Sequence, residues 1–381
     1  MKRTYALMVL LLGGILTADG IFAETFAEKE VAAGRHPGYV AIVAEVDGTI
    51  RTSICGWANV ERKEPMMART MFWVASQTKG FAGALFAQLC AEGVMGPDDS
   101  CARYFPGLAK LKVAGKGVVS RPPTLRELLC HTAGLPFKTP GMEEHGNEYR
   151  SMGFIADRLQ EQIELHHEPG VTNTYGNLAI DLAAACMEKA TGKSFEALLQ
   201  ERFFDPLGMK DATFFPTDEQ YARMATCYKF GKDGSLEKGT HFRLWLLKRD
   251  VRPRYAEAGG GLYMTAGDMF EFYWMLAHGG VGRNGRRVLS PAAVELLRTK
   301  QTPPHLSYQY SFGLGLSRNG RTLAHGGQLK TCASADLDTG ACRVWFVQIE
   351  NREDPRLRES VCRADALKKT MPCHNLAGAG F

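Results

Sequence analysis

Ser76 and Lys79 are the first pair in this chain whose types and spacing suit chemistry. They bracket Ser76-Gln77-Thr78-Lys79, between the apolar stretch Met71-Phe72-Trp73-Val74-Ala75 and a run with apolar residues at helical spacing, Lys79 to Glu92. Residues three apart on a helix share a face, so the amine can reach the hydroxyl. A serine is a weak nucleophile until a neighbouring base takes its proton. A lysine becomes that base when burial or a positive dipole lowers its pKa. A helix N-terminus supplies such a dipole and favours negative charge developing on a substrate oxygen. Ser-x-x-Lys also fits an N-cap serine with an exposed lysine. A second copy, Ser235-Leu236-Glu237-Lys238, sits among Gly231, Gly234 and Gly239 and reads as a loop.

Two further segments add candidates. Tyr175-Gly176-Asn177 is the only Tyr-x-Asn in the chain and precedes a helical pattern from Leu178 to Thr191. The phenol can pass a proton between the lysine and a leaving group, and the amide can bind substrate or lysine. A turn tyrosine with Asn177 as helix N-cap is the ordinary alternative. His325-Gly326-Gly327 lies where a strand from Thr322 to Ala324 runs out. Glycines at a strand edge let a substrate approach closely. The Gln328 N–H is then a candidate second donor, with Ser76 N–H, for an oxyanion. Ala277-His278-Gly279-Gly280 repeats the pattern at the end of an apolar helix-like stretch, where the glycines read as C-caps.

The elements that must position these groups follow from periodicity. Gly38 to Val46 and Ile50 to Trp57 read as a hairpin across Asp47-Gly48-Thr49. Helical patterns fill Thr124–Cys130, Gly153–Ile163, Leu178–Thr191 and Ser194–Phe203. Strands return at Gly261–Thr265, Gly313–Leu316, Thr322–Ala324 and Ala341–Glu350, and a helix runs from about Pro355 to Lys369. This order predicts an α+β fold: an antiparallel sheet flanked by helices, built from residues 24–95 and 256–381, with a mostly helical domain inserted at 96–255.

The order and spacing of the three motifs resemble the serine β-lactamase and penicillin-binding peptidase superfamily, specifically the class C β-lactamase-like serine hydrolases. Pro37-Gly38-Tyr39-Val40-Ala41, Leu128-Leu129-Cys130-His131-Thr132-Ala133-Gly134-Leu135-Pro136, Asp205-Pro206-Leu207-Gly208-Met209 and Gly259-Gly260-Gly261-Leu262-Tyr263-Met264-Thr265-Ala266-Gly267-Asp268-Met269 extend the likeness over about residues 34–350. The resemblance implies Ser76 as acylated nucleophile, Lys79 as its proton acceptor and Tyr175 as proton relay. It implies Asn177, His325, Gly327 and Gln328 as substrate-binding groups. His325 stands where the β-lactamases of this superfamily carry the lysine of Lys-Thr-Gly, which binds the β-lactam carboxylate. The following Gln328-Leu329-Lys330-Thr331-Cys332 lacks their small residues. His131 falls in a segment the family uses as structure, and no Gly-x-Ser-x-Gly exists to support an α/β-hydrolase. The implied activity is acyl-enzyme hydrolysis of an ester, D-amino-acid peptide or related amide. A non-catalytic cell-wall-ligand sensor and a dedicated β-lactamase are the alternatives.

Composition bounds the rest. The 381 residues are 45% hydrophobic and 23% charged, an ordinary globular balance. Forty-six basic against 41 acidic residues give +5, with no basic block, so no nucleic-acid partner is expected. Met1-Lys2-Arg3, an apolar run from Tyr5 to Leu16 and small residues near Ala23 read as a signal peptide over 1–23. Export to the periplasm or medium, with no stable membrane anchor after cleavage, is the expectation. Ten cysteines in an exported chain permit disulfides, with Cys90/Cys101, Cys332/Cys342 and Cys362/Cys373 the near-sequence candidates. No Cys-x-x-Cys occurs, and His166-His167 cannot face one point on a regular element, so no zinc or thioredoxin-like motif is read; the implied serine hydrolase needs no metal or organic cofactor. The expected partner is a small-molecule or peptide substrate.

Overall fold

In the computed structural model, which describes residues 25–137, 150–239, 255–350 and 355–362, the first strand runs Gly38–Ala44 and is buried along its whole length. Its sequence, GYVAIVA, shows no polar alternation because both faces are covered. Val40, Ile42 and Ala44 enter the main core, while Tyr39, Ala41 and Val43 join a second core with Ala27, Trp345 and Leu357. That second core lies beneath the terminal helices Phe26–Ala32 and Pro355–Cys362. Tyr39 stacks on Trp345 with ring centroids 4.6 Å apart.

The sheet has seven strands in the spatial order Gly315–Leu316, Thr322–Gly326, Cys332–Asp336, Cys342–Phe346, Gly38–Ala44, Ile50–Asn59, Glu64–Pro65. All neighbours are antiparallel. Its middle joins the two ends of the chain: Ala41 pairs with Trp345 and Val40 with Phe346. The α+β architecture is therefore an antiparallel sheet flanked by helices. The Cys332–Asp336 strand had little sequence signal of its own, because CASAD is short and carries no β-branched or aromatic residue. Tyr263–Met264 pairs with Phe72–Trp73 in a separate ribbon rather than joining the main sheet. The Ser194–Phe203 pattern divides into a helix at Phe195–Leu199 and a wide turn at Gln200–Phe204.

Thr78–Ala91 is the central helix, and it is apolar almost all round, as a helix enclosed on every side must be. The chain crosses it at Phe312-Gly313. A Cβ on Gly83 would lie 1.8 Å from the Phe312 carbonyl, and one on Gly313 would lie 2.0 Å from the Lys79 carbonyl. Gly313 also has φ +62°. We expect Gly313→Ala to lower stability by about 3 kcal/mol, combining overpacking and left-handed strain. Urea unfolding with an unchanged m-value checks this.

The nine described cysteines are free thiols. Cys90 and Cys101 do not pair. Cys332 and Cys342 lie on adjoining strands but at opposite ends, because the register sets Cys332 against Trp345 and Cys342 against Ala335. Cys373 and residues 1–23 lie outside the described residues. Among the described residues no helix is long and apolar enough to cross a membrane.

Candidate active site

Ser76 sits in a single tight turn, Ala75–Gln77, that leads directly into the central helix. From Met71 to Ala87 it is the only residue not fully buried. Several bonds fix the turn. Val74 N–H donates to the Leu262 carbonyl at 3.1 Å, and Trp73 Nε1 donates to the Gly260 carbonyl at 2.7 Å. Thr78 Oγ1 donates to the Ala75 carbonyl at 2.7 Å and accepts from Leu262 N–H at 3.1 Å. Ala75 itself is left-handed, φ +48°, a conformation that a non-glycine residue holds only where its surroundings impose it. The result is a hydroxyl presented at the N-terminus of a long buried helix.

Lys79, one turn on, is completely buried. Its ammonium donates to Ser76 Oγ at 3.2 Å, Asn177 Oδ1 at 2.7 Å and the Gly259 carbonyl at 2.5 Å. It also lies 4.9 Å from the centre of the Tyr175 ring. Burial lowers its pKa to about 7, and the nearby Asp181 carboxylate opposes that shift. The three contacts differ in kind. Asn177 Oδ1 and the Gly259 carbonyl can only accept, so a neutral amine keeps its two N–H bonds there and turns its lone pair to Ser76.

Asn177 in turn donates from Nδ2 to Glu257 Oε1 at 2.9 Å, and Asp181 accepts from Gly259 N–H at 2.8 Å. Asp181 lies one turn after Asn177 on the helix Leu178–Thr191. One helix thus supplies both the amide that holds Lys79 and the carboxylate that holds the loop carrying its other acceptor. Asn177 makes no side-chain cap of that helix. Asp181, Glu257 and the Gly259 carbonyl were not singled out as site groups from sequence. The i, i+4 spacing of Asn177 and Asp181 was the available signal for Asp181.

Tyr175 has its hydroxyl shielded from solvent, with no hydrogen-bond partner among the described residues. Burial raises its pKa, and the neighbouring Ser76 hydroxyl offsets part of that rise. Its ring centre is 6.5 Å from that of His325 and 4.5 Å from that of His131. His325 is the penultimate residue of the Thr322–Gly326 strand, buried, with Nδ1 2.7 Å from the Gly326 carbonyl. A carbonyl only accepts, so Nδ1 carries the proton and Nε2 offers a lone pair. Burial first, and then Lys79, push the pKa of His325 down to about 4, so the ring is neutral at neutral pH.

Gly327 brings the same hairpin against the serine turn. A Cβ there would lie 2.5 Å from the Val74 carbonyl and 2.2 Å from Thr331 Oγ1. Gln328 follows, exposed, on the turn, its N–H without a backbone acceptor among the described residues. We expect Gly327→Ala to displace the turn and lower kcat about 100-fold, the scale of a lost oxyanion donor, with a lowered melting temperature as well because the clash is with backbone. Steady-state kinetics beside a melting curve test this.

The structure thus brings Ser76, Lys79, Tyr175 and Asn177 into one cluster, sets His325 beside it, and places Gly327 and Gln328 on the adjoining turn. The second Ser-x-x-Lys lies elsewhere: Leu236–Lys238 is a hairpin strand, with Ser235 bonded to Asp233. His278 closes the helix Ala266–Ala277. Among the described residues no group of three or more His, Cys, Asp or Glu side chains is arranged to hold a metal ion.

A sheet with this topology, helices on both faces and a buried lysine beneath a helix-end serine, is the architecture of the β-lactamase/transpeptidase fold. Residues 23–367 match the Beta-lactamase family, and the chain belongs to it. It is 28% identical over 287 residues to Protein Rv1367c of Mycobacterium tuberculosis, covering 70% of this chain and 68% of that one. It is 24% identical over 222 residues to Protein flp of Staphylococcus aureus, covering 58% and 44% respectively. Among solved structures, EstCE1, described as a hydrolase with promiscuous acyltransferase activity, superimposes with a TM-score of 0.72 at 22% identity, covering 88% of this chain and 96% of that one. A D-stereospecific amidohydrolase from Streptomyces gives 0.66 at 22% identity, covering 88% and 97%. The chain is a β-lactamase-fold hydrolase by family.

Proposed function

We propose that the protein is an exported serine hydrolase that works through an acyl-enzyme on a neutral ester, a D-amino-acid peptide or a related amide. The observation that carries this reading is the fully buried Lys79, with a pKa near 7, held between two pure acceptors with Ser76 Oγ as its third contact. As the neutral amine, Lys79 takes the Ser76 proton while Oγ attacks the carbonyl carbon. The developing oxyanion meets the Ser76 and Gln328 N–H groups at the helix end. As the intermediate collapses, the Tyr175 hydroxyl gives its proton to the leaving group and recovers one from the Lys79 ammonium. Water then attacks the acyl group, and the same groups run in reverse to free Ser76.

The related structures include proteins described as a hydrolase with promiscuous acyltransferase activity and a D-stereospecific amidohydrolase, which supports acyl transfer as the chemistry suited to this scaffold. The neutral His325, in place of a fixed cation, favours uncharged substrates over carboxylate-bearing β-lactams. Export rests on the basic start, short apolar run and small residues near Ala23. A fluorophosphonate probe is expected to label the wild type and not Ser76→Ala, and equal labelling of both would falsify the assignment. Stoichiometric labelling by fluorescent penicillin without turnover of any ester or peptide would instead mark a ligand sensor.

A further inference from the structure

We propose that His131 is a positioning residue for Tyr175, its imidazole fixing the phenol in the attitude from which it protonates the leaving group. This rests on the acyl-enzyme reading above. His131 is wholly buried at the end of the short helix Leu125–Leu129, and neither ring nitrogen has a partner among the described residues. Its ring centre lies 4.5 Å from that of Tyr175, tilted by 47°, and 5.5 Å from that of Tyr310, nearly edge-on at 77°. The imidazole therefore fills the corner between the two tyrosine rings.

The backbone makes the same connection independently. His131 is left-handed, φ +62°, and its carbonyl accepts from Thr174 N–H at 2.8 Å, the residue immediately before Tyr175. Thr132 O accepts from Gly170 N–H at 2.8 Å, and His167 Nε2 lies 2.8 Å from Thr174 Oγ1. The segment carrying Tyr175 is thus tied to His131 by main chain and by ring. A left-handed turn alone favours Gly or Asn. A buried site alone favours an apolar side chain, since buried polar atoms are ordinarily hydrogen-bonded. Histidine tolerates the left-handed turn, but with both ring nitrogens unpartnered among the described residues it is the poorer choice for burial, and what it adds is a flat ring against Tyr175. Residues held against local preference cluster at functional sites. The titratable groups around it are Lys79, His325, Tyr175 and Tyr310; burial, Lys79 and His325 all disfavour protonation, so the ring stays neutral.

The test separates positioning from simple support of the fold. A p-nitrophenyl ester and an ethyl ester of the same acid form the same acyl-enzyme, but only the alkoxide needs a proton to leave. His131→Asn, which tolerates the left-handed turn, is expected to lower kcat/KM for the ethyl ester at least about tenfold more than for the p-nitrophenyl ester, with Tyr175→Phe as the positive control. An equal loss on both esters overturns the proposal, while the control's leaving-group dependence keeps the acyl-enzyme reading intact. Failure of wild-type Ser76 to label removes that reading itself. If His131→Asn does not fold, His131→Phe, which keeps a ring on Tyr175, is expected to retain the wild-type ratio between the two esters, and a ratio shifted about tenfold against the ethyl ester overturns the proposal. If neither variant folds, His131 supports the fold as a whole and the proposal falls.

Discussion

Lys79→Met is expected to lower kcat/KM by about three to four orders of magnitude, the range of a lost general base, while making the protein more stable at neutral pH. The two halves of this result come from one cause. Methionine fills the same buried volume without charge, so packing in the central helix is kept. The native lysine is pulled from its ordinary 10.5 to about 7, so from pH 7 to about 10 the unfolded chain binds a proton that the folded one does not. Stability contributed by this group therefore rises with pH across that window, and below pH 7 the wild type bears the full penalty of a buried ammonium. The stability gain of Lys79→Met is expected to be largest at pH 6–7 and to shrink toward pH 10, read by urea unfolding at each pH. In the wild type the acid limb of kcat/KM should bend near pH 7. A stable, fully active Lys79→Met would show that Ser76 does not depend on this amine.

His325→Lys is expected to shift specificity toward substrates carrying a carboxylate, such as nitrocefin, by about 10- to 100-fold relative to a neutral ester. A hydrogen bond to a charged partner is worth about 1.5–3 kcal/mol, and this converts to that ratio. In the wild type, Nδ1 of His325 is committed to the Gly326 carbonyl, and the ring carries no charge at neutral pH. The added ammonium sits close enough to Lys79 to disfavour a second positive charge there, so the acid limb of the pH profile should move lower. Paired kinetics on nitrocefin and a short-chain ester, for wild type and variant, measure both effects. An unchanged substrate ratio would show that position 325 does not face the acyl donor's carboxylate.

The parts of this molecule that were legible in the sequence are those whose signal is local. The Gly38–Ala44 strand, the helices Thr78–Ala91 and Leu178–Thr191 and the Asp47-Gly48 turn follow from apolar spacing and turn chemistry. Ser76 and Lys79 are linked by helix geometry, so their contact could be anticipated from a spacing of three. The contact of Lys79 with Asn177 could not, because nothing local links positions 98 apart. The Gly259 carbonyl is a backbone atom and leaves no mark in residue type, and Glu257 is an ordinary acidic residue until the fold brings Asn177 to it. The strand Cys332–Asp336 was invisible because its neighbours on both sides, not its own composition, hold it extended. The Cys332/Cys342 pair suggested by nearness in sequence failed for the same reason: strand register, not separation along the chain, decides which of these thiols meet.

The pairing of Gly38–Ala44 with Cys342–Phe346 has a temporal consequence. The strand emerging early from the ribosome meets one of its two neighbours only after about 300 further residues have been made, a very high contact order. Until then one edge of an uninterrupted apolar strand is open to pair with any other chain. Maturation is therefore expected to be completed after synthesis. Nascent chains stalled before Cys342 should be protease-sensitive throughout their first hundred residues, and release of the last segment should confer resistance in one cooperative step.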